Sequence, residues 1–292
     1  MRSDDAGVLA RRGGMGWSSL LAIVLLAIVL LAIALLAIAP LALAAPAVVA
    51  DAESGDACPA STPRPLMLEA TRAALAHGAP ITIVALGSSS TQGVGASAPD
   101  RTYPARLQAL LRAWWGEGTV TVLNRGVGGQ TDDVMLARIG TDVLAEHPVL
   151  VIWQAGANAV LRQIDPALFG RSLDEGARRI KASGADLVLM DNQIAPRLTA
   201  IPGHARYDEI TLRAAHAHHV SLFSRAALMR DWAVSDPSVT DMIREDGVHH
   251  TDRGYACVAA ALARAVTQAV GRPLGRPLGR PVGQAVGQAD KP

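Results

Sequence analysis

Three consecutive serines, Ser88, Ser89 and Ser90, follow the apolar run 81–86 and Gly87. Such a run, bounded by turn-forming residues, is typical of a buried parallel strand. A serine just past this strand lies at the carboxyl edge of the sheet, where open α/β folds bind their ligands. One of the three is therefore a candidate nucleophile. The alternative from this stretch alone is a serine-rich turn that caps a helix.

A serine nucleophile needs a general base and a group that holds this base in the correct tautomer. Asp246-Gly247-Val248-His249 offers both in a predicted loop just before the last helix. In a turn, the Asp246 carboxylate can accept a hydrogen bond from Nδ1–H of His249, which leaves Nε2 free. Taken alone, Asp246 is also consistent with an Asx turn and His249 with a polar loop residue.

Two other predicted strand ends carry residues suited to stabilising an oxyanion. The glycine-rich loop 124–131 can direct backbone N–H groups into a cleft, and the amide of Asn158 can donate from the end of the next strand. Alternatively, the glycines only permit tight turns and Asn158 caps a helix. A dinucleotide-binding fingerprint fits poorly, because Thr131 stands where the third glycine belongs.

Together these segments resemble the sequence blocks of the SGNH/GDSL hydrolases, in the same order and spacing. The resemblance covers residues 65–270 and implies a flavodoxin-like sheet and ester hydrolysis through an acyl-enzyme. It places Ser89 at the nucleophile and Asp246 and His249 in the family's last block. It also implies an oxyanion hole built from the Ser89 and Gly129 N–H groups and the Asn158 amide.

Two positions depart from the family pattern. Ser88 stands where the family usually has aspartate, and Ala159 stands where Gly-x-Asn-Asp would have its acid. Neither position holds one of the family's reacting groups, so we expect altered support around the site rather than lost activity. The Gly-x-Ser-x-Gly elbow of the α/β-hydrolases is absent, which argues against that other serine-hydrolase fold.

The leading hypothesis is an exported serine esterase for short-acyl or carbohydrate O-acyl esters, on a small-molecule or polysaccharide substrate. The alternatives are a lipase or thioesterase for longer acyl chains and, in another class, a non-catalytic cell-envelope binding module. We expect no cofactor, no metal site and a monomer. The formal net charge of +1, from 27 basic and 26 acidic residues, argues against a nucleic-acid partner.

Strand-like and helix-like patterns alternate between residues 65 and 270. The strand-like runs are 81–86, 119–123, 149–154, 185–190 and 220–223. The helical patterns are 65–77, 101–114, 131–147, 166–183, 204–218 and 251–270, with Thr251 as the N-cap of the last. This alternation predicts an α/β fold, a three-layer α/β/α sandwich around a five-stranded parallel sheet.

The two ends differ from this domain. Residues 20–39 are an uninterrupted apolar run, which as a helix of about 30 Å would cross a bilayer. Basic residues precede the run and acidic residues follow it, so residues 1–50 are predicted to be a signal peptide or an N-terminal membrane anchor. The remainder would then be periplasmic or secreted, or anchored to the inner membrane by this helix alone. Residues 51–64 are a predicted linker, and residues 271–292 a low-complexity disordered tail.

The chain has two cysteines, Cys58 in the predicted linker and Cys257 in the last predicted helix. Two cysteines are too few for a disulfide framework, and their spacing does not fit a metal site. In an oxidising compartment they can pair and tie the linker to the last helix. Two unpaired thiols are the alternative.

Overall fold

A single sheet of five parallel strands lies at the centre of the domain. The computed structural model describes residues 58–62, 64–237 and 241–271. The strands are Ile81–Gly87 (β1), Val120–Gly126 (β2), Leu150–Gln154 (β3), Asp186–Met190 (β4) and Ser221–Phe223 (β5). Their order is β2-β1-β3-β4-β5, with every neighbouring pair parallel. The predicted α/β fold with a five-stranded parallel, flavodoxin-like sheet is confirmed.

Helices connect the strands and cover both faces of the sheet. In the described ranges the α-helices are Glu69–Ala76 (α1), Ser89–Gln92 (α2), Tyr103–Trp115 (α3), Asp132–Ala137 (α4), Ile139–Asp142 (α5), Ala157–Leu161 (α6), Pro166–Ala182 (α7), Pro196–Thr199 (α8), Ala205–Ala217 (α9), Arg225–Ser235 (α10) and Asp252–Val270 (α11). Short 3₁₀ helices span Pro99–Arg101 and Leu144–Glu146. Thr251 caps α11 as predicted, because its side chain accepts the Gly254 N–H.

Two apolar clusters separate the sheet from its helices. One lies against α1, α3, α10 and α11, and the other lies against α4, α5, α7 and α9. Successive residues of β1 alternate between them, with Ile83 and Ala85 in the first and Val84 and Leu86 in the second. A strand buried on both faces has no polar alternation, which explains the continuous apolar run in the sequence.

The prediction of a single helix over residues 131–147 is wrong. The segment forms α4, α5 and the short 3₁₀ helix, with breaks at Arg138 and Val143. The guanidinium of Arg138 donates to the carbonyls of Gly87 at 3.1 Å and Arg125 at 2.7 Å. These bonds hold residue 138 against the carboxyl ends of β1 and β2. The helix is interrupted at this same residue.

Two element bounds differ clearly from the sequence predictions, and one long helix was not predicted. The first helix begins at Glu69 rather than residue 65, because the backbone at Met67 bonds the Ser221 side chain instead of a helical partner. Strand β2 continues to Gly126, three residues past its predicted end, in register with β1. Helix α10 was not predicted. Its buried residues include Arg225 and Trp232, and its apolar residues do not form a clear stripe.

Cys58 and Cys257 form a disulfide with their Cα atoms 5.4 Å apart. Hydrogen bonds also join the predicted linker to α10, since the Thr62 N–H and the Arg64 guanidinium both bond Asp231. The part of the chain that the structure describes contains no helix long and apolar enough to cross a membrane. The predicted signal peptide or anchor (residues 1–50) and the predicted tail beyond Gly271 lie outside the described residues.

Candidate active site

Ser89 is the first residue of α2 and follows β1 after a single intervening residue, Ser88. A Cβ atom at Gly87 would lie 2.0 Å from the Thr91 Oγ1, so this tight turn requires glycine. Ser88 and Ser90 are each 1% exposed, whereas Ser89 is partly exposed. Ser89 is therefore the one serine of the three that a substrate can reach.

The structure brings Ser89, His249 and Asp246 together in a hydrogen-bonded row. The Oγ of Ser89 lies 2.8 Å from Nε2 of His249, although the two residues are 160 positions apart. On the other side of the ring, Nδ1 of His249 lies 2.7 Å from Oδ2 of Asp246. This is the geometry of a nucleophile, a general base and a group that orients the base.

The electrostatics of Asp246 fix the tautomer of His249. Partial burial opposes ionisation, but hydrogen bonds from the His249 backbone and ring and from the Val248 N–H lower the pKa of Asp246 to about 2. The carboxylate is thus ionised at neutral pH and can only accept hydrogen bonds. The His249 proton therefore resides on Nδ1, which leaves Nε2 able to accept the proton of the Ser89 hydroxyl.

Contacts from two neighbouring segments hold the loop that carries Asp246 and His249. The side chain of Gln193, after β4, donates to the Val248 carbonyl at 2.8 Å. The Arg197 N–H donates to the Gly247 carbonyl at 3.0 Å. Gly247 has a φ of +69°, which glycine adopts at little cost. The loop is therefore held by the segment at the carboxyl end of β4 and by α8.

Gly129 and Asn158, the predicted oxyanion residues, follow β2 and β3 at the same edge of the sheet. Gly129 has a φ of +74°. Within the described residues, the backbone N–H groups of Ser89 and Gly129 donate no hydrogen bond. Asn158 lies in α6, and its Nδ2 donates to the Gln130 carbonyl at 2.9 Å, which uses one of its two amide protons.

Strand order explains why these residues meet. Strand β1 lies between β2 and β3, so the chain leaves β1 in one direction and β3 in the other. Ligands of open α/β sheets bind in the crevice at this switch point, beyond the carboxyl ends of the strands. Ser89 follows β1, Gly129 follows β2 and Asn158 follows β3. The three residues therefore surround the crevice that the topology creates.

Comparisons with known proteins agree with this geometry. The profile of the non-GDSL lipase-like family matches residues 56–272. The chain belongs to this family. The predicted relationship to the SGNH/GDSL hydrolases is likewise confirmed, because the family profile and the esterase and arylesterase relatives described below agree with it.

The relatives of this non-GDSL lipase-like protein match over part of their lengths. Esterase TesA of Pseudomonas aeruginosa is 30% identical over 128 residues, which are 44% of this chain and 60% of TesA. An arylesterase of Vibrio mimicus is 37% identical over 78 residues, which are 26% of this chain and 38% of the relative. A solved two-domain esterase (CEX) active on acetylated mannans aligns with a TM-score of 0.61 at 21% identity, covering 74% of this chain and 58% of that one. This chain thus spans less than two thirds of each of the three.

Gln154 contacts Ser88, the first position at which the sequence departs from the SGNH pattern. Its Oε1 accepts the Ser88 N–H at 2.9 Å and the Ser88 hydroxyl at 3.0 Å, and the residue is fully buried. A neutral amide oxygen from β3 thus holds the turn before Ser89. Ala159, the second departure, is also buried, at 1% exposure. A glutamine in the otherwise apolar end of β3 is the sequence signal that could have indicated this contact.

Other residues around the site were not singled out from the sequence. Gln92 and Arg162 contact the glycine loop, and buried Asp132 contacts the turn before Asn158. These side chains come from segments whose polar residues look like ordinary surface residues in the sequence. Across the described ranges, no group of three or more histidine, cysteine, aspartate or glutamate side chains is placed to hold a metal ion.

Asp132 gives this family member a pH-dependent contact at the site. Its two carboxyl oxygens lie 3.2 and 3.3 Å from the Gly156 backbone nitrogen, and the residue is only 2% exposed. Burial raises the pKa of Asp132 to about 7, despite the hydrogen bond from Gly156 that favours the ionised form. The folded protein therefore binds the Asp132 proton more tightly than the unfolded chain does.

Asp132→Asn is expected to remove part of the pH dependence of stability. Because folding raises the pKa of Asp132, protonated Asp132 contributes its full stabilisation below the pKa of the unfolded chain. This contribution to the free energy of unfolding is lost as pH rises toward 7. Relative to Asp132→Asn, the wild-type free energy of unfolding should therefore fall between pH 4 and pH 7, by about 4 kcal/mol at most. Urea unfolding at several pH values measures this difference. Asp100→Asn, at an exposed position, is the control, and parallel curves for wild type and Asp132→Asn would contradict the expectation.

Proposed function

We propose that this chain is a serine esterase that hydrolyses carboxylic esters through an acyl-enzyme. The observation that carries the proposal is the row formed by Ser89, His249 and Asp246, with contacts of 2.8 and 2.7 Å. Membership of the non-GDSL lipase-like family supports the same reaction class. The proposed donors to the oxyanion, from Ser89, Gly129 and Asn158, lie at the adjoining strand ends.

In the acylation step, His249 Nε2 takes the Ser89 proton as Oγ attacks the ester carbonyl carbon. The carbonyl oxygen becomes an oxyanion, and the Ser89 and Gly129 N–H groups and the free amide proton of Asn158 donate to it. The imidazolium that forms is stabilised by the ionised Asp246. Collapse of the tetrahedral intermediate breaks the bond to the alcohol oxygen, which leaves with the proton from Nε2.

Deacylation repeats these roles with water as the nucleophile. His249 Nε2 removes a proton from a water molecule as its oxygen attacks the acyl-serine carbonyl. The same three donors hold the second oxyanion. When the bond to Ser89 Oγ breaks, the proton on Nε2 returns to the serine, and the carboxylic acid departs. The reaction consumes one ester and one water and yields one alcohol and one acid.

A cavity beside the site supports a short-acyl or carbohydrate ester as the substrate. It has a volume of about 180 Å³, and Gln193 in its wall bonds the carbonyl of Val248, next to His249. Five of its lining residues are apolar (Val160, Ile194, Leu198, Ala205 and Ala226), and the six polar ones are Asn192, Gln193, Thr199, His204, Asp208 and Arg230. A long alkyl chain placed there would desolvate these groups without giving them hydrogen bonds, which is costly. Hydroxyl groups or a short acyl group would leave them hydrated or bonded.

An ester panel tests this proposal. Purified protein is assayed with p-nitrophenyl acetate, butyrate, octanoate and palmitate, with acetylated xylan and with palmitoyl-CoA, and is labelled with a fluorophosphonate probe. We expect labelling and kcat/KM values on the acetate and butyrate at least about tenfold above the octanoate. A preference for palmitate or palmitoyl-CoA would favour a lipase or thioesterase. Neither hydrolysis nor labelling would favour a non-catalytic binding module.

Export is part of the proposal. The apolar run 20–39 with basic residues before it supports translocation of the domain. The Cys58–Cys257 disulfide supports an oxidising compartment, since disulfides persist there and are rare in the cytosol. Cell fractionation with intact-protein mass measurement tests this. A soluble exported product lacking residues 1–50 indicates a signal peptide, a full-length membrane product indicates an anchor, and a cytosolic product contradicts export.

A further inference from the structure

We propose that Gln92 and Arg162 are positioning residues that orient the Gly128–Gly129 peptide, whose N–H is an oxyanion donor in the proposed reaction. The inference rests on the proposed esterase function and adds two residues to it. Neither side chain contacts Ser89, His249 or Asp246 among the described hydrogen bonds. Both act on the backbone of the glycine loop.

Two consecutive glycines make this donor peptide easy to misplace. Gly128 and Gly129 have no Cβ atoms, so each can adopt conformations that other residues avoid, and Gly129 is in the left-handed region at φ +74°. A rotation of the peptide between them would turn its N–H away from the crevice. An oxyanion donor is effective only if its direction is fixed before the reaction. The loop therefore needs restraints from outside its own backbone.

Gln92 restrains the peptide on the amino-terminal side. Its Oε1 accepts the Gly128 N–H at 2.8 Å, which fixes the peptide that joins Val127 to Gly128. Gln92 is the last residue of α2, the short helix that begins with Ser89. A Cβ at Gly128 would lie 2.8 Å from Gln92 Oε1, so the approach depends on glycine there. This contact ties the glycine loop to the helix of the nucleophile.

Arg162 restrains the peptide on the carboxyl-terminal side. Its Nη2 donates to the Gly129 carbonyl at 2.7 Å, which fixes the peptide that joins Gly129 to Gln130. Asn158, one turn earlier in the chain, fixes the next peptide through the Gln130 carbonyl. The donor peptide is thus flanked by peptides that side chains hold in place. Asn158 lies in α6, and Arg162 directly follows its last residue. Both hydrogen bonds therefore tie the glycine loop to the segment after β3.

Exposure makes the proposal testable without unfolding the protein. Gln92 and Arg162 are both exposed, so truncation creates no buried cavity. A restraint on a transition-state donor should affect kcat, whereas a substrate-binding residue should affect KM. Removing a donor itself costs about 10²–10³ in turnover, so loosening one restraint should cost less.

The experiment measures kcat and KM of wild type, Arg162→Ala, Arg162→Lys, Gln92→Ala and the double variant on p-nitrophenyl acetate. Active enzyme is first counted by fluorophosphonate titration. We expect kcat to fall about 10–100-fold in Arg162→Ala and Gln92→Ala, with KM within about threefold of wild type. Added guanidinium should partly restore Arg162→Ala, and Arg162→Lys should retain more activity. The double variant should lose less than the product of the single losses, because both restrain one peptide.

Arg178→Ala, at an exposed arginine on α7 paired with Glu175, is the matched control and should keep wild-type kcat. Unchanged kcat in Arg162→Ala, or a rise in KM alone, overturns the inference while leaving the esterase proposal intact. A wild-type protein that neither hydrolyses esters nor takes up the probe overturns the esterase proposal instead. Inhibition by a boronic acid that mimics the tetrahedral intermediate should weaken in parallel with kcat in the variants.

Discussion

Ser89→Ala is expected to abolish ester hydrolysis, with kcat reduced by on the order of 10⁴–10⁶. The substitution removes the proposed nucleophilic atom, the Oγ that lies 2.8 Å from His249 Nε2. It leaves the fold in place, because Ser89 Oγ bonds no other described group and the residue is partly exposed. Any residual hydrolysis would come from direct attack of water on the ester, with the proposed donors stabilising the oxyanion.

The measurement is hydrolysis of p-nitrophenyl acetate together with fluorophosphonate labelling. Ser90→Ala is the matched control, because Ser90 is buried and its Oγ is contacted only weakly, by Gln193 at 3.5 Å. The control should remain labelled, and mass spectrometry of the wild-type adduct should place the probe on Ser89. Full activity in Ser89→Ala, or a label on another serine, would remove Ser89 from the mechanism.

The sheet and the loops at its edge could be predicted because both follow from local patterns. A short, mainly apolar run indicated each strand, and the alternation with helices indicated a parallel sheet. In such a sheet all carboxyl ends lie at one edge. The segments after β1, β2 and β3 therefore had to lie at that edge. The order β2-β1-β3, which the sequence did not predict, makes the segments that carry Ser89, Gly129 and Asn158 neighbours.

What could not be predicted depends on side-chain contacts between distant segments. The break at Arg138 coincides with its bonds to two carbonyls at the sheet edge, and a helical pattern carries no sign of such partners. The same holds for Gln154 beneath Ser88 and for Arg162 on Gly129. Helix α10 was missed for another reason, since a helix without a clear apolar stripe gives no periodic signal.

Asp246→Asn is expected to lower kcat by about 10⁴ while leaving the loop folded. In the wild type, Oδ1 of Asp246 accepts the Val248 and His249 N–H groups, and Oδ2 accepts Nδ1–H of His249. Asparagine keeps one oxygen for the two backbone donors, so its NH₂ group faces Nδ1. The ring must then carry its proton on Nε2, which can no longer accept the proton of Ser89.

The pKa of Asp246, about 2, predicts how this loss varies with pH. Because the wild-type carboxylate stays ionised from pH 5 to pH 9, Asp246→Asn should be impaired across that whole range in p-nitrophenyl acetate assays. Asp174→Asn is the matched control, because Asp174 of α7 also contacts a histidine, with its carboxylate 3.0 Å from Nε2 of His218 at the end of α9. This variant should keep wild-type kcat. Asp246→Ala should in addition be less stable to urea, because two backbone N–H groups lose their acceptor. If Asp246→Asn kept more than a tenth of wild-type kcat, the ionised Asp246 would not be setting the tautomer of His249.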